Sequence, residues 1–179
     1  MLYFAFGSNM LPSRLQRRCP TARVRARAIA RGYRVAFDKL SEDSSGKANL
    51  VSCDNGEPAI GIVYELSSDD LGKLDAFEGP GYRRQEDFVV TCVETAQELR
   101  TCTYVAIERA PGLRPYDWYL ALVLAGLACH DIDPSYAKAL RMTRFDTDEE
   151  SSRMSRRNAL QDLVTAGYPE YLSLLHAPA

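Results

Sequence analysis

The sequence predicts a mixed α+β domain, and three observations predict it. Six or seven runs rich in Val, Ile, Thr, Tyr and Phe are bounded by Gly, Asn, Asp and Pro turn residues, as strands are. Four or five other stretches carry apolar residues at helical spacing, two of them behind an N-capping Ser67 or Asp133. No repeat, low-complexity tract or break in composition divides the chain, so residues 1–179 read as one domain.

The chain opens with Leu2 to Phe6, an aromatic-rich run of buried-strand length. Gly7-Ser8-Asn9 follows: Gly7 permits a positive φ or the close approach of a ligand, and Ser8 and Asn9 stand where they can cap a helix that starts near Met10. A strand, a loop of small residues and a helix start gather backbone N–H groups around one concavity, which suits a carboxylate or an oxyanion. The same residues are also ordinary turn composition, and spacing alone leaves both readings open. Leu11 to Arg18 reads as a short helix with Pro12 in its first turn, ended at Cys19-Pro20. Ala22 to Phe37 reads as one long or two short strands broken near Arg31-Gly32, giving Val24, Ile29, Tyr33, Val35 and Phe37 to packing. Ser41 to Lys47 is a polar loop, either a flap near the site or a solvated connection. Asn49–Cys53 and Ala59–Leu66 form a hairpin across the turn Asp54-Asn55-Gly56, with Gly61 marking a bulge or a close approach.

Ser67-Ser68-Asp69-Asp70 caps a helix whose apolar stripe is Leu71, Leu74 and Phe77. Glu78 stands at its far end, just before Gly79-Pro80-Gly81 stops it. A carboxylate there meets the negative end of the helix dipole, a poor place for a charge and a reasonable one for a general base. A solvated glutamate at a helix end is the competing local reading. Tyr82–Val93 and Glu98–Ile107 form another strand pair, with Phe88, Val90 and Cys92 on one face and Cys92 and Cys102 acting as small apolar core groups. A loop around Pro111-Gly112 and Pro115 precedes a helix from Tyr116 to Cys129, apolar on nearly every side and therefore buried. It completes either a monomer core or a homodimer interface, which apolar content alone does not separate. Asp133–Arg141 and Glu149–Ala166 are two further helices, with Arg153, Arg156 and Arg157 facing solvent.

Composition narrows the function. A formal charge of -2 and a pI near 5.7 argue against a general nucleic-acid binder. Arg14, Arg17, Arg18, Arg23, Arg25, Arg27, Arg31 and Arg34 make a locally basic segment, read first as a solvent-facing polar surface and only second as a nucleic-acid patch. Five cysteines without a C-x-x-C pair fit reduced thiols in a cytoplasmic protein. His130 and His176 lie 46 positions apart, without the spacing of a metal site. No apolar stretch approaches the ~20 residues needed to span a bilayer, so no membrane partner is expected.

Tyr3-Phe4-Ala5-Phe6-Gly7-Ser8-Asn9-Met10 resembles the N-terminal glycine-serine-asparagine signature of the γ-glutamylcyclotransferase family, which includes plant avirulence-induced proteins. Leu74-Asp75-Ala76-Phe77-Glu78-Gly79 resembles the segment in which that family carries its catalytic glutamate. The resemblance runs from the first strand through the helix near Tyr116. It implies a small, partly closed β-barrel flanked by helices. It also implies cyclisation of a γ-glutamyl compound to 5-oxoproline, without metal or cofactor. Glu78 would be the general acid/base, and Tyr3, Phe6, Gly7, Ser8 and Asn9 would bind the small-molecule substrate. A substrate-contacting tyrosine with a glycine seven positions on matches Tyr119 and Gly126, with Tyr116 as competitor. Many members have a tyrosine where this chain has Phe6, so any contact through that hydroxyl is absent. The donor is left open between a γ-glutamyl amino acid, a γ-glutamylamine, glutathione and a biosynthetic intermediate, as is a non-catalytic small-molecule-binding role.

Overall fold

The computed structural model describes residues 1–54 and 56–176, which form seven strands and six α-helices. In chain order these are β1 (Leu2–Ala5), α1 (Pro12–Arg18), β2 (Arg23–Ala30), β3 (Tyr33–Leu40), β4 (Gly46–Ser52), β5 (Ala59–Glu65), α2 (Ser68–Glu78), β6 (Tyr82–Cys92), β7 (Glu98–Ala106), α3 (Asp117–Cys129), α4 (Pro134–Arg141), α5 (Met154–Thr165) and α6 (Leu172–His176). Among these residues no helix is long and apolar enough to cross a membrane.

Five strands close into a barrel in the order β1-β5-β2-β6-β7. Its pairings are antiparallel except where β7 returns to β1, with Cys102 opposite Tyr3. Closure leaves no free edge in this sheet. The curvature has local causes. The register of β2 on β5 shifts between Val24 and Ala26, and that of β6 on β7 shifts between Gln85 and Phe88, where Asp87 has a φ of 53°. Gly61 is a point of close approach, as expected: a Cβ there would strike the Ala5 carbonyl oxygen and lie 2.8 Å from the Phe4 ring. Phe4 stacks on Phe88 with ring centroids 6.0 Å apart, so the two sides of the barrel meet at its centre.

The expected pairing of Asn49–Cys53 with Ala59–Leu66 is not formed. Strand β4 pairs instead with β3, from Tyr33 opposite Ser52 to Leu40 opposite Gly46 with a register shift between Ala36 and Lys39, as a separate two-stranded sheet. The Ser41–Ser45 segment is the turn of that hairpin, closed by the Ser41 N–H donating to the Ser45 carbonyl. Lys47 therefore belongs to a strand. The Asp54-Asn55-Gly56 turn includes Asn55, which lies outside the described residues. Val24 does not pack inward; it sits beside the register shift in β2 and is exposed.

Helix α3 is buried from Asp117 through Leu127, and so completes the core of this chain. Gly126 is where it crosses the turn after β1: a Cβ there would stand 2.7 Å from the Met10 Cβ. In α2, Leu71 and Leu74 are buried but Phe77 is 54% exposed, with the Arg18 guanidinium over its ring, 5.2 Å from the centroid. Helix α5 starts at Met154 rather than Glu149. The residues before it are held by the buried Asp148 carboxylate, which accepts from the Trp118 indole, the Glu150 N–H and Arg153. Arg153 is consequently half-buried; Arg156 is half-buried too, and Arg157 faces solvent as expected.

The start of α2 follows its capping residues: the Ser67 hydroxyl accepts the Asp70 N–H at 3.1 Å. The Asp70 carboxylate in turn accepts from Lys73, at 2.7 Å, and from the Thr21 N–H and hydroxyl, at 2.8 and 2.7 Å. These bonds, the Lys73 one foremost, hold its pKa down from 3.8 to about 2. A depressed carboxylate contributes stability above its unfolded pKa and loses it as the pH falls through its folded pKa. The melting-temperature difference between the wild type and Asp70→Asn should therefore be complete at neutral pH and shrink between about pH 4 and pH 2. Calorimetry across that range tests it, and a difference constant down to pH 2 would contradict the assignment.

Candidate active site

Strand β1 leads into a 3-10 turn, Ser8–Met10, closed by the Met10 N–H donating to the Gly7 carbonyl at 3.0 Å. The N–H groups of Gly7, Ser8 and Asn9 start this turn and make no backbone hydrogen bond among the described residues. Neither Ser8 nor Asn9 caps α1, whose N-cap is Leu11 without a side-chain bond. Their side chains are engaged elsewhere. The Ser8 hydroxyl accepts from Arg14 Nε at 3.2 Å. Asn9 Nδ2 donates to the Tyr3 hydroxyl at 3.0 Å and to Glu78 Oε1 at 2.8 Å, and Asn9 Oδ1 accepts from Arg18 Nη1 at 3.1 Å.

Glu78 arrives from the other side as the last residue of α2. Gly79, at a φ of 62°, ends the helix in a conformation that favours glycine and starts the Gly79–Gly81 turn that returns the chain to β6. The carboxylate is turned toward Asn9, and Arg18 Nη1 stands 3.6 Å from Oε1.

Tyr3, Phe6, Gly7, Ser8, Asn9, Glu78 and Tyr119, all expected at the site, line one cavity open to solvent. Ala48, Tyr82 and Tyr104 complete it. Tyr116 lies elsewhere, its hydroxyl donating to the Asp43 carbonyl at 3.3 Å and its ring beneath Arg153. Each tyrosine is fixed. Tyr82 donates to the Ala48 carbonyl and Tyr104 to the Asp75 carboxylate, both at 2.7 Å. Tyr3 and Tyr119 instead accept, from Asn9 Nδ2 and the Ala48 N–H, so their own hydroxyl protons remain available to the cavity. Burial raises the pKa of all four, and the nearby Glu78 charge adds to the rise at Tyr3 and Tyr82. They are neutral donors at physiological pH.

Two arginines escaped the sequence reading. Arg14 and Arg18, four residues apart on α1, look like members of a solvated basic run, yet Arg14 is buried and Arg18 is half-buried against Asn9, Phe77 and Glu78. Their i, i+4 spacing, which sets both on one helix face, was the available signal. Tyr104 had a signal too, since it follows Cys102 by two on a strand and so shares its inward face.

Arg14 Nη1 and both ends of the Arg17 guanidinium bind Asp162 of α5, at 3.2, 2.8 and 2.8 Å. Burial, with Arg18 nearby, lowers the Arg14 pKa to about 10, so it is charged at neutral pH. Asp162 thus anchors the helix that supports the Ser8 turn.

Residues 3–120 match the family model for γ-glutamyl cyclotransferase, AIG2-like proteins. The chain is 24% identical over 178 residues to the γ-glutamylcyclotransferase of Homo sapiens, covering 96% of this chain and 91% of that one. To that of Bos taurus it is 22% identical over 170 residues, covering 93% and 88%. Among solved structures, an uncharacterised protein from Homo sapiens aligns with a TM-score of 0.79 at 22% identity, covering 89% of this chain and 97% of the other. A γ-glutamyl cyclotransferase aligns with a TM-score of 0.76 at 23% identity and the same coverage. These two structures share the barrel fold.

Asp162→Ala should leave the buried Arg14 charge without its counter-ion and lower stability by about 3 kcal/mol. Urea unfolding measures this, and an unchanged midpoint would mean that the pair does not brace α1.

Proposed function

The chain belongs to the γ-glutamyl cyclotransferase, AIG2-like family, and from that premise we propose that it cyclises a γ-glutamyl amide, releasing 5-oxoproline and the free amine. The observation that carries this reading is the meeting of the Glu78 carboxylate and the unbonded N–H groups of Gly7, Ser8 and Asn9 at one cavity.

In the reaction the substrate's α-nitrogen attacks its own γ-carbonyl carbon. The ring C–N bond forms, the original amide C–N bond breaks, and the two protons lost by the α-ammonium are gained by the departing nitrogen. Oxidation states do not change and no second substrate is consumed, so the chemistry calls for neither cofactor nor metal. Nucleophile and electrophile share one molecule, and the protein's work is to fold the glutamyl chain and move protons. Asn9 occupies Oε1 of Glu78, leaving Oε2 to take a proton from the α-ammonium and pass it to the leaving nitrogen. The turn N–H groups hold the glutamyl carboxylate and the oxyanion that develops on the γ-carbonyl, while the Tyr3 and Tyr119 hydroxyls donate to the bound glutamyl group. Phe6 contributes shape without a hydroxyl.

Glu78→Gln keeps the Asn9 contact but cannot relay a proton. It should slow 5-oxoproline release from γ-glutamyl-L-alanine at least a hundredfold, with the circular dichroism spectrum unchanged. Near wild-type turnover would remove Glu78 from the mechanism. Tyr119→Phe preserves the edge contact with Phe37 but removes both the donation to the glutamyl group and the acceptor of the Ala48 N–H, so kcat/KM should fall at least about tenfold. A value equal to the wild type would take Tyr119 out of the binding set.

A further inference from the structure

Beyond Glu78 a second concavity adjoins the first, with Glu78 forming a wall of both. Its lining includes Lys39, Phe77 and Gly81, with the exposed Glu42 and Glu108 at its rim, and among its lining residues Lys39 carries the one positive charge. Two features seat this lysine. Its Nζ lies 5.1 Å from the centroid of the Tyr82 ring, and Tyr82 also lines the first cavity. It lies too against the bare backbone of Gly81, in the loop that leaves Glu78: a Cβ on Gly81 would stand 2.6 Å from its Cε and 2.7 Å from its Nζ.

The Lys39 ammonium has no counter-ion within 4 Å among the described residues. Lys47 and Lys73, by contrast, are paired with Asp43 and Asp70. Asp38, next to Lys39 in sequence, is already bound by Arg109 and Asn49, at 2.8 and 2.9 Å. A half-buried cation held over a ring and beside a concavity, in no ion pair within 4 Å among the described residues, is suited to an anion from outside, although Glu42, Glu78 and Glu108 line the same concavity.

The cyclisation says where that anion would come from. The bond that breaks lies next to Glu78, so a leaving amine departs along that wall and its substituents extend into the second concavity. Resting on the cyclotransferase reading, we propose that Lys39 binds the carboxylate of the leaving group and is the residue by which this chain favours γ-glutamyl α-amino acids over γ-glutamylamines. In an α-amino acid the carboxylate is one carbon from the leaving nitrogen, so the group that Lys39 holds reports directly on the position of the scissile bond.

The test uses two substrates that differ only in that carboxylate, γ-glutamyl-L-alanine and γ-glutamylethylamine, with 5-oxoproline measured by mass spectrometry. For the wild type, kcat/KM should be about tenfold higher for the alanine compound, the scale of one hydrogen bond to a charged group. Lys39→Met should bring the ratio of the two values close to one by lowering that for the alanine compound. Lys39→Arg should retain most of the preference. Gly81→Ala, which pushes the lysine end off its seat without touching its charge, should reduce the ratio in the same direction. A ratio near one in the wild type, or a Lys39→Met variant that keeps the wild-type ratio or loses both activities equally, would overturn the assignment while leaving the cyclotransferase reading intact. Absence of 5-oxoproline from both substrates with the wild type would overturn the two together.

Discussion

The side-chain amide of Asn9 holds three parts of the molecule at one point. It is 5% exposed, so its donors and acceptor must be met within the protein, and they are. Nδ2 donates to Tyr3 on the barrel and to Glu78 at the end of α2, and Oδ1 accepts a hydrogen bond from Arg18 on α1. An arginine can only donate, so the oxygen must face Arg18 and the nitrogen must face the carboxylate. The orientation of Glu78 follows from that choice, with Oε1 engaged and Oε2 without a hydrogen bond among the described residues. Arg18 Nε is buried and, among the described residues, unpartnered, so the guanidinium is held by its Nη1 contacts and by the face of Phe77.

The separate β3-β4 hairpin supplies the opposite wall. Ala48 offers both backbone groups to the site, its N–H to the Tyr119 hydroxyl and its carbonyl to that of Tyr82. These two bonds tie β4 to the buried helix α3 and to β6. The neighbouring Lys47 strengthens the same junction, its ammonium 4.7 Å from the Trp118 ring centroid and 4.9 Å from that of Tyr119, with Asp43 as counter-ion. Burial pushes the Lys47 pKa below its usual value, yet the paired Asp43 and the electron-rich ring faces favour its charge. Gly7 is what allows this wall to close, since a Cβ there would stand 2.9 Å from that of Ala48.

What could be read in the sequence was local. The strand-turn pair from Leu2 to Asn9, the Ser67 cap and Gly79 stop that bracket α2, and the all-round apolarity of α3 each depend on neighbours in the chain, and each is present. The pairing of β4 was not legible, because alternation within a strand does not say which strand lies beside it, and β3 was the nearer partner through a Ser-rich turn. The burial of Arg14 and the inward turn of Arg18 ran against the usual preference of arginine for solvent. The carboxylates of Asp162 and Glu78, 148 and 60 residues away, help to reverse that preference, with Ser8 and Asn9 accepting the remaining hydrogen bonds. Phe77 errs in the other direction, apolar and at stripe spacing, yet exposed, with a guanidinium over part of its ring.

The match to the family model ends at residue 120, and the site residues all precede that point. Their support does not. The turn that presents Gly7, Ser8 and Asn9 is braced by Arg14, and Arg14 is neutralised by Asp162 on α5. The Met10 carbonyl beneath the turn accepts from the Tyr64 hydroxyl and lies 2.9 Å from the His130 ring nitrogen just past α3. Asp117, at the start of α3, accepts from Tyr171, and Trp118 donates to Asp148. A turn of three residues has too few bonds of its own to hold three N–H groups at fixed angles, so its geometry must be imposed from outside. The residues after 120 impose it: the charged and polar contacts of His130, Asp148, Asp162 and Tyr171 converge on α1, α3 and the turn itself. Divergence in that last third of the chain is compatible with a common site only where a replacement still neutralises Arg14 and still packs α3 against Met10, because those two contacts transmit the support.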